Sequence, residues 1–119
     1  MLEFEDEEMS IAGWGATSAK EKQTDYLMEA TVEEQDFETC NVHWQRTLNS
    51  TFEICAGKKN ADSCIGDNGG PLMYSKDGMT YLIGVFSFSR NPCGRYKDTV
   101  YTRVTSYLNW IEKCFQYEI

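Results

Sequence analysis

Five cysteines (Cys40, Cys55, Cys64, Cys93 and Cys114), a single histidine (His43) and a glycine-rich run from Asp62 to Leu72 are where this 119-residue chain could carry chemistry. Structural zinc sites draw thiolates from close pairs such as C-x-x-C, and no such pair is present. With only one histidine besides, no metal and no cofactor are expected. Two disulfides with one leftover thiol is the more economical reading of the cysteines, and it implies an oxidising compartment. Asn49-Ser50-Thr51 is a sequon that agrees with export and marks Asn49 as a candidate glycosylation site.

The elements that must position these residues are short. Ser10-Ile11-Ala12-Gly13-Trp14-Gly15 reads as a strand ending in glycines, after an acidic lead-in over residues 1–9. The remainder, 10–119, reads as one domain, since the chain is too short for two ordinary ones. Leu27 to Val32 and Phe52 to Ala56 suggest strands, and Cys40 to Leu48 a short helix. Two apolar β-type runs, 71–74 and 81–86, flank Lys76-Asp77-Gly78-Met79, and Asp-Gly between such runs predicts a hairpin. Thr99 to Val104 is rich in β-branched and aromatic residues, as strands are. Val104, Tyr107, Leu108, Ile111 and Phe115 fall on one face of a helix, with Thr105 or Ser106 as its cap. Short strands with glycine turns and one closing helix predict an all-β chain, a small antiparallel barrel plus a C-terminal α-helix.

Composition narrows the partners. The net charge is −8, five of the first eight residues are acidic, and a second acidic stretch runs through Glu33, Glu34, Asp36 and Glu38. Both stretches read as solvated surface, and the balance argues against nucleic acid or an anionic membrane. No apolar stretch approaches the roughly 20 residues of a membrane span. The first residues have neither the basic start nor the apolar core of a signal peptide. That sits against the export implied by the cysteines and suggests a secreted ancestry for a chain without its leader.

Residues 62–72 read Asp-Ser-Cys-Ile-Gly-Asp-Asn-Gly-Gly-Pro-Leu. This resembles the nucleophile loop of trypsin-like serine proteases, D-S-C-x-G-D-S-G-G-P-L, at ten of eleven positions. The exception is the catalytic serine, where this chain has Asn68. Ala12-Gly13-Trp14-Gly15, Cys55-Ala56-Gly57, Gly84-Val85-Phe86-Ser87-Phe88, Val100-Tyr101-Thr102-Arg103-Val104, and Tyr107 with Trp110-Ile111 follow the same family in order. The resemblance covers about residues 10–114 and looks most like arthropod clip-domain proteases and their inactive homologues. It implies the second six-stranded antiparallel barrel of the trypsin-like double-barrel fold, with the first barrel absent.

The resemblance also implies roles for individual residues. The N–H groups of Gly66 and Asn68 would form the remnant of an oxyanion hole, and Asp67 would pair with the new amino terminus after zymogen cleavage. Cys40 would pair with Cys55, and Cys64 with Cys93. Cys114 has no partner in this pattern; it could bond a missing segment or another chain, and a buried thiol is the preferred reading. Asp62 resembles the acid at the floor of a pocket for Lys or Arg. Ser89 and Thr99 stand at wall positions that are usually glycine and would narrow that slot. Phe88 replaces the usual tryptophan beside the substrate backbone, and Pro92 stands at the rim where glycine is common.

A carboxamide has no hydroxyl to activate, so Asn68 cannot form an acyl-enzyme. The family's catalytic His and Asp belong to the first barrel, and His43 lies in the Cys40–Cys55 segment, where a surface or packing role is expected. The function implied is that of a catalytically inactive protease homologue outside the cell. Its partner would be a protein: a protease, a protease inhibitor or the missing first barrel. The alternatives are half of a serine endopeptidase completed by that barrel, or a truncated product without activity.

Overall fold

In the computed structural model of the chain, residues 7–14, 25–44, 47–58, 69–89 and 99–116 are described. Six strands, β1 (Glu8–Gly13), β2 (Met28–Glu34), β3 (Glu53–Gly57), β4 (Pro71–Lys76), β5 (Met79–Phe88) and β6 (Thr99–Arg103), close into a barrel in the order β1-β2-β3-β6-β5-β4. Every pairing is antiparallel, and β1 meets β4 through Ser10 opposite Met73 and Ile11 opposite Leu72. Closure leaves no open sheet edge among the described strands for another chain to extend.

Alternation fills the interior. Met9 and Ile11 of β1, Val32 of β2, Ile54 and Ala56 of β3, Leu72 of β4, Ile83 and Phe86 of β5 and Tyr101 of β6 form one buried cluster. Burial of each large side chain here is worth roughly 1.5–3 kcal/mol against leaving it exposed. Gly84 sits where a side chain would not fit: a Cβ there would lie 3.1 Å from the Cβ atoms of both Leu72 and Tyr101. The β4–β5 turn is the Asp-Gly hairpin turn that the sequence predicts, with positive φ at Asp77 (53°) and Gly78 (79°).

Strand β1 begins two residues inside the stretch read as lead-in, because Met9 is an inward-facing core residue despite its acidic neighbours. Helix α1 (Phe37–His43) starts three residues before the predicted Cys40. The Asp36 carboxylate caps it, accepting the Thr39 backbone N–H at 3.0 Å and the Thr39 hydroxyl at 2.7 Å. The helix stops at Trp44, whose backbone is extended and whose N–H is donated to the Asn41 carbonyl.

After β6 comes a single 3-10 turn, Val104–Tyr107, and then α2 (Leu108–Phe115). The predicted cap does not form. Tyr107 occupies the cap position without a side-chain bond, and the Ser106 hydroxyl is donated instead to the Thr51 carbonyl. No residue of α2 is buried, and Leu108, Trp110 and Phe115 are exposed. Cys114 lies on this helix as an exposed free thiol, which corrects the expectation of a buried one. Among the described residues, nothing reaches over that turn of α2 to cover it.

Candidate functional site

The glycine-rich loop leaves its described end at Gly69 and Gly70. Gly69 has φ +79°, a conformation that glycine adopts without steric cost. Its N–H is donated to the Phe86 carbonyl at 3.2 Å, and the Phe86 N–H returns to the Gly70 carbonyl at 2.8 Å. This pair of bonds ties the loop exit to β5 just before Pro71 opens β4 opposite Val85.

On its other side, β5 pairs with β6 up to Phe88 opposite Val100, past an irregularity between Phe86 and Phe88. Ser89 follows Phe88, and Thr99 precedes Val100, so both stand at the same end of this ladder. Thr99 is buried and Ser89 half-buried. The structure therefore brings the loop exit, Ser89 and Thr99 to one end of the barrel. Asp62, Cys64, Gly66, Asp67, Asn68, Pro92 and Cys93 lie outside the described residues, as does the side chain of His43.

That end of the barrel is backed by a second small core. Cys40 of α1 is joined to Cys55 of β3 by a disulfide, with Leu48 and Val100 buried against it. Cys55 and Val100 are directly opposite in the β3–β6 ladder. Since Ile54 and Ala56 face inward and Cys55 outward under α1, β3 is covered on both faces. A cross-link closing 15 residues contributes about 3 kcal/mol on the loop-entropy account.

Phe88 leans on this core. Its ring meets that of Trp44 edge to face, with centroids 4.7 Å apart and planes at 87°. Trp44 escapes the sequence reading, and the only signal for it is a large aromatic between two cysteines that pair. Its contact carries rigidity from the disulfide to the end of β5, where Ser89 begins.

Electrostatic anchoring lies at the opposite end of β6. Buried Arg103 donates from Nε to the Ser50 carbonyl at 3.1 Å and from Nη2 to the Glu53 carbonyl at 3.4 Å, and Nη2 lies 3.8 Å from Glu34 Oε2. The Thr39 hydroxyl, and then the Thr39 backbone N–H, hold the Asp36 carboxyl below the usual carboxylate range. Among the described residues, no three His, Cys, Asp or Glu side chains group as metal ligands would. No described helix is long and apolar enough to cross a membrane.

A closed six-stranded antiparallel barrel with a C-terminal helix and a glycine-rich loop entering one strand defines one barrel of a trypsin fold. The family model described as Trypsin matches residues 4–111, and the chain belongs to the trypsin-like serine protease family. It is 42% identical over 106 residues to the CLIP domain-containing serine protease B4 of Anopheles gambiae, a match covering 85% of this chain and 29% of that protein. It is 40% identical over 110 residues to Melanization protease 1 of Drosophila melanogaster, covering 86% of this chain and 27% of that protein. The chain thus spans less than a third of the length of these curated relatives.

Proposed function

We propose that this chain is a catalytically inactive trypsin-like protease homologue that acts outside the cell by binding a protein of a protease pathway, either a protease or a protease inhibitor. The observation that carries this reading is Asn68, placed in a loop whose other ten positions follow the active pattern. Acyl transfer requires an atom at that position that can attack a carbonyl and later leave. The amide nitrogen of a carboxamide has its lone pair delocalised, and its oxygen carries no proton for a base to remove.

The rest of the loop keeps what binding needs. The N–H groups of Gly66 and Asn68 would still offer donors to a carbonyl, and Asp67 would still be available to an amino terminus. Asp62 at the pocket floor, with Ser89 and Thr99 on its walls, would leave too little room for a Lys or Arg side chain. Such a site would hold a peptide backbone without cutting it. The relatives' names describe proteases, one of them a CLIP-domain serine protease, and the Cys40–Cys55 disulfide supports a location outside the cell.

In one variant of this reading the protein partner is a first barrel. Asn68 would leave that assembled site without a nucleophile as well. The test is hydrolysis of peptides with Lys, Arg or small residues before the scissile bond. The chain should show none, and Asn68→Ser should also show none, because its one histidine, His43, stands in a segment where the family carries no base. Benzamidine should fail to bind at millimolar concentration. Turnover by the unaltered chain would end the proposal, and turnover by the variant would show that a base is at hand.

A further inference from the structure

The turn that joins Leu48 to β3 carries the sequon Asn49-Ser50-Thr51, and the fold presents it in an unusual state of preparation. Asn49 and Thr51 are exposed. The Asn49 side-chain oxygen accepts the Thr51 backbone N–H at 2.9 Å, and the Asn49 carbonyl accepts the backbone N–H groups of Phe52 and Glu53 at 3.0 and 2.9 Å. The Asn49 backbone N–H is donated to Glu53 Oε1 at 2.9 Å. Every one of these bonds uses the side-chain oxygen or the backbone of Asn49. Among the described residues, none uses its side-chain nitrogen, the atom to which a glycan would be attached.

The turn is also held from behind. Arg103 Nε is donated to the Ser50 carbonyl, Ser106 Oγ to the Thr51 carbonyl, and the Phe52 carbonyl accepts the Arg103 backbone N–H at 2.8 Å. A substituent on Asn49 would therefore project from a fixed platform and disturb no bond that holds the platform. The disulfide between Cys40 and Cys55 encloses this turn and fits an oxidising lumen, the compartment where such transfer occurs.

From these observations we infer that Asn49 is an N-glycosylation site of the exported chain. The donor is a lipid-pyrophosphate-linked oligosaccharide. A bond forms between Asn49 Nδ2 and the anomeric carbon, the carbon–oxygen bond to the pyrophosphate breaks, the lipid pyrophosphate leaves, and Nδ2 gives up one proton. Nothing is oxidised or reduced. The glycan would stand beside Phe52, on the end of the barrel where Arg103 is anchored and away from the Ser89–Thr99 end, so it would leave the proposed binding site open. The inference shares only the exported location with the proposed function, and its test does not touch position 68.

The test is to express the chain through the secretory pathway of insect cells and digest both the secreted and the cell-retained pools with peptide N-glycosidase in heavy-oxygen water. Reading both pools covers the case in which the chain enters the pathway but does not leave the cell. The expected result is a loss of one glycan mass, with residue 49 recovered as Asp carrying the heavy oxygen. Thr51→Ala should abolish the modification, and Thr51→Ser should retain it. Thr51 contributes only its backbone N–H and carbonyl to the bonds of the turn, so neither variant removes one of them. Unmodified Asn49 in both pools, or a glycan that persists in Thr51→Ala, would overturn the assignment.

Discussion

Strand β6 and helix α2 are separated by one 3-10 turn, both are rich in apolar residues, and their fates are opposite. In β6, Thr99, Val100, Tyr101 and Arg103 are buried, whereas in α2 Trp110 is 64% and Phe115 85% exposed. The difference lies in neighbours. β6 has β3 on one side, β5 on the other, the barrel interior against Tyr101 and the Cys40–Cys55 core against Val100. Among the described residues, helix α2 has no comparable element across its apolar face. A periodic pattern in a sequence specifies that a face exists; whether it is covered depends on a partner that the pattern does not name.

The sharpest way to test this contrast is to remove a large side chain from each region. Tyr101→Ala should cost about 3–5 kcal/mol, the range for deleting a buried aromatic, and denaturant unfolding should show it as a large fall in midpoint or as loss of the folded state. Gly84→Val should come next, at about 1–3 kcal/mol, since the added side chain must displace those of Leu72 and Tyr101. Trp110→Ser with Phe115→Ser should change unfolding by only about 0.5 kcal/mol, the usual range for surface sites. The same double variant should reduce the self-association that exposed apolar side chains promote, as read by sedimentation. Equal destabilisation by the Tyr101 and α2 variants would erase the distinction.

The smallest expected effect concerns α1, which covers the outer face of β3. The Asp36 carboxyl is held below its unfolded value, so its capping contribution is present above the unfolded value and lost as pH falls through the lowered folded one. Asp36→Asn should flatten that acidic part of the stability profile and leave neutral pH almost unaffected. An unchanged acidic limb in the variant would show that the cap is not the group responsible.

The parts of the fold legible in sequence were those decided locally. Asp77-Gly78 demanded positive φ at both positions and located the hairpin, and apolar, β-branched and aromatic runs located strands β2 to β6 within a few residues. Elements decided by side-chain hydrogen bonds were displaced. Asp36 could be recognised as a cap only once Thr39 was seen to donate to it twice, and Ser106 failed as a cap because the Thr51 carbonyl, 55 residues earlier, claims its hydroxyl. Met9 was hidden by its acidic neighbours, and the exposure of Cys114 depends on what stands near α2. For the site, the loop was legible through family resemblance, while its support by Trp44 against Phe88 was not, because that contact joins distant parts of the chain.

The central claim is that position 68 offers no nucleophile, and active-site labelling tests it most directly. A fluorophosphonate phosphonylates an activated serine hydroxyl, releasing fluoride, and needs no substrate selectivity, so an altered pocket does not hide a working nucleophile. Incubated with excess reagent, the folded chain should gain no covalent mass, and peptide mapping should find residues 62–72 unmodified. A stoichiometric adduct on any residue of that loop would contradict the account.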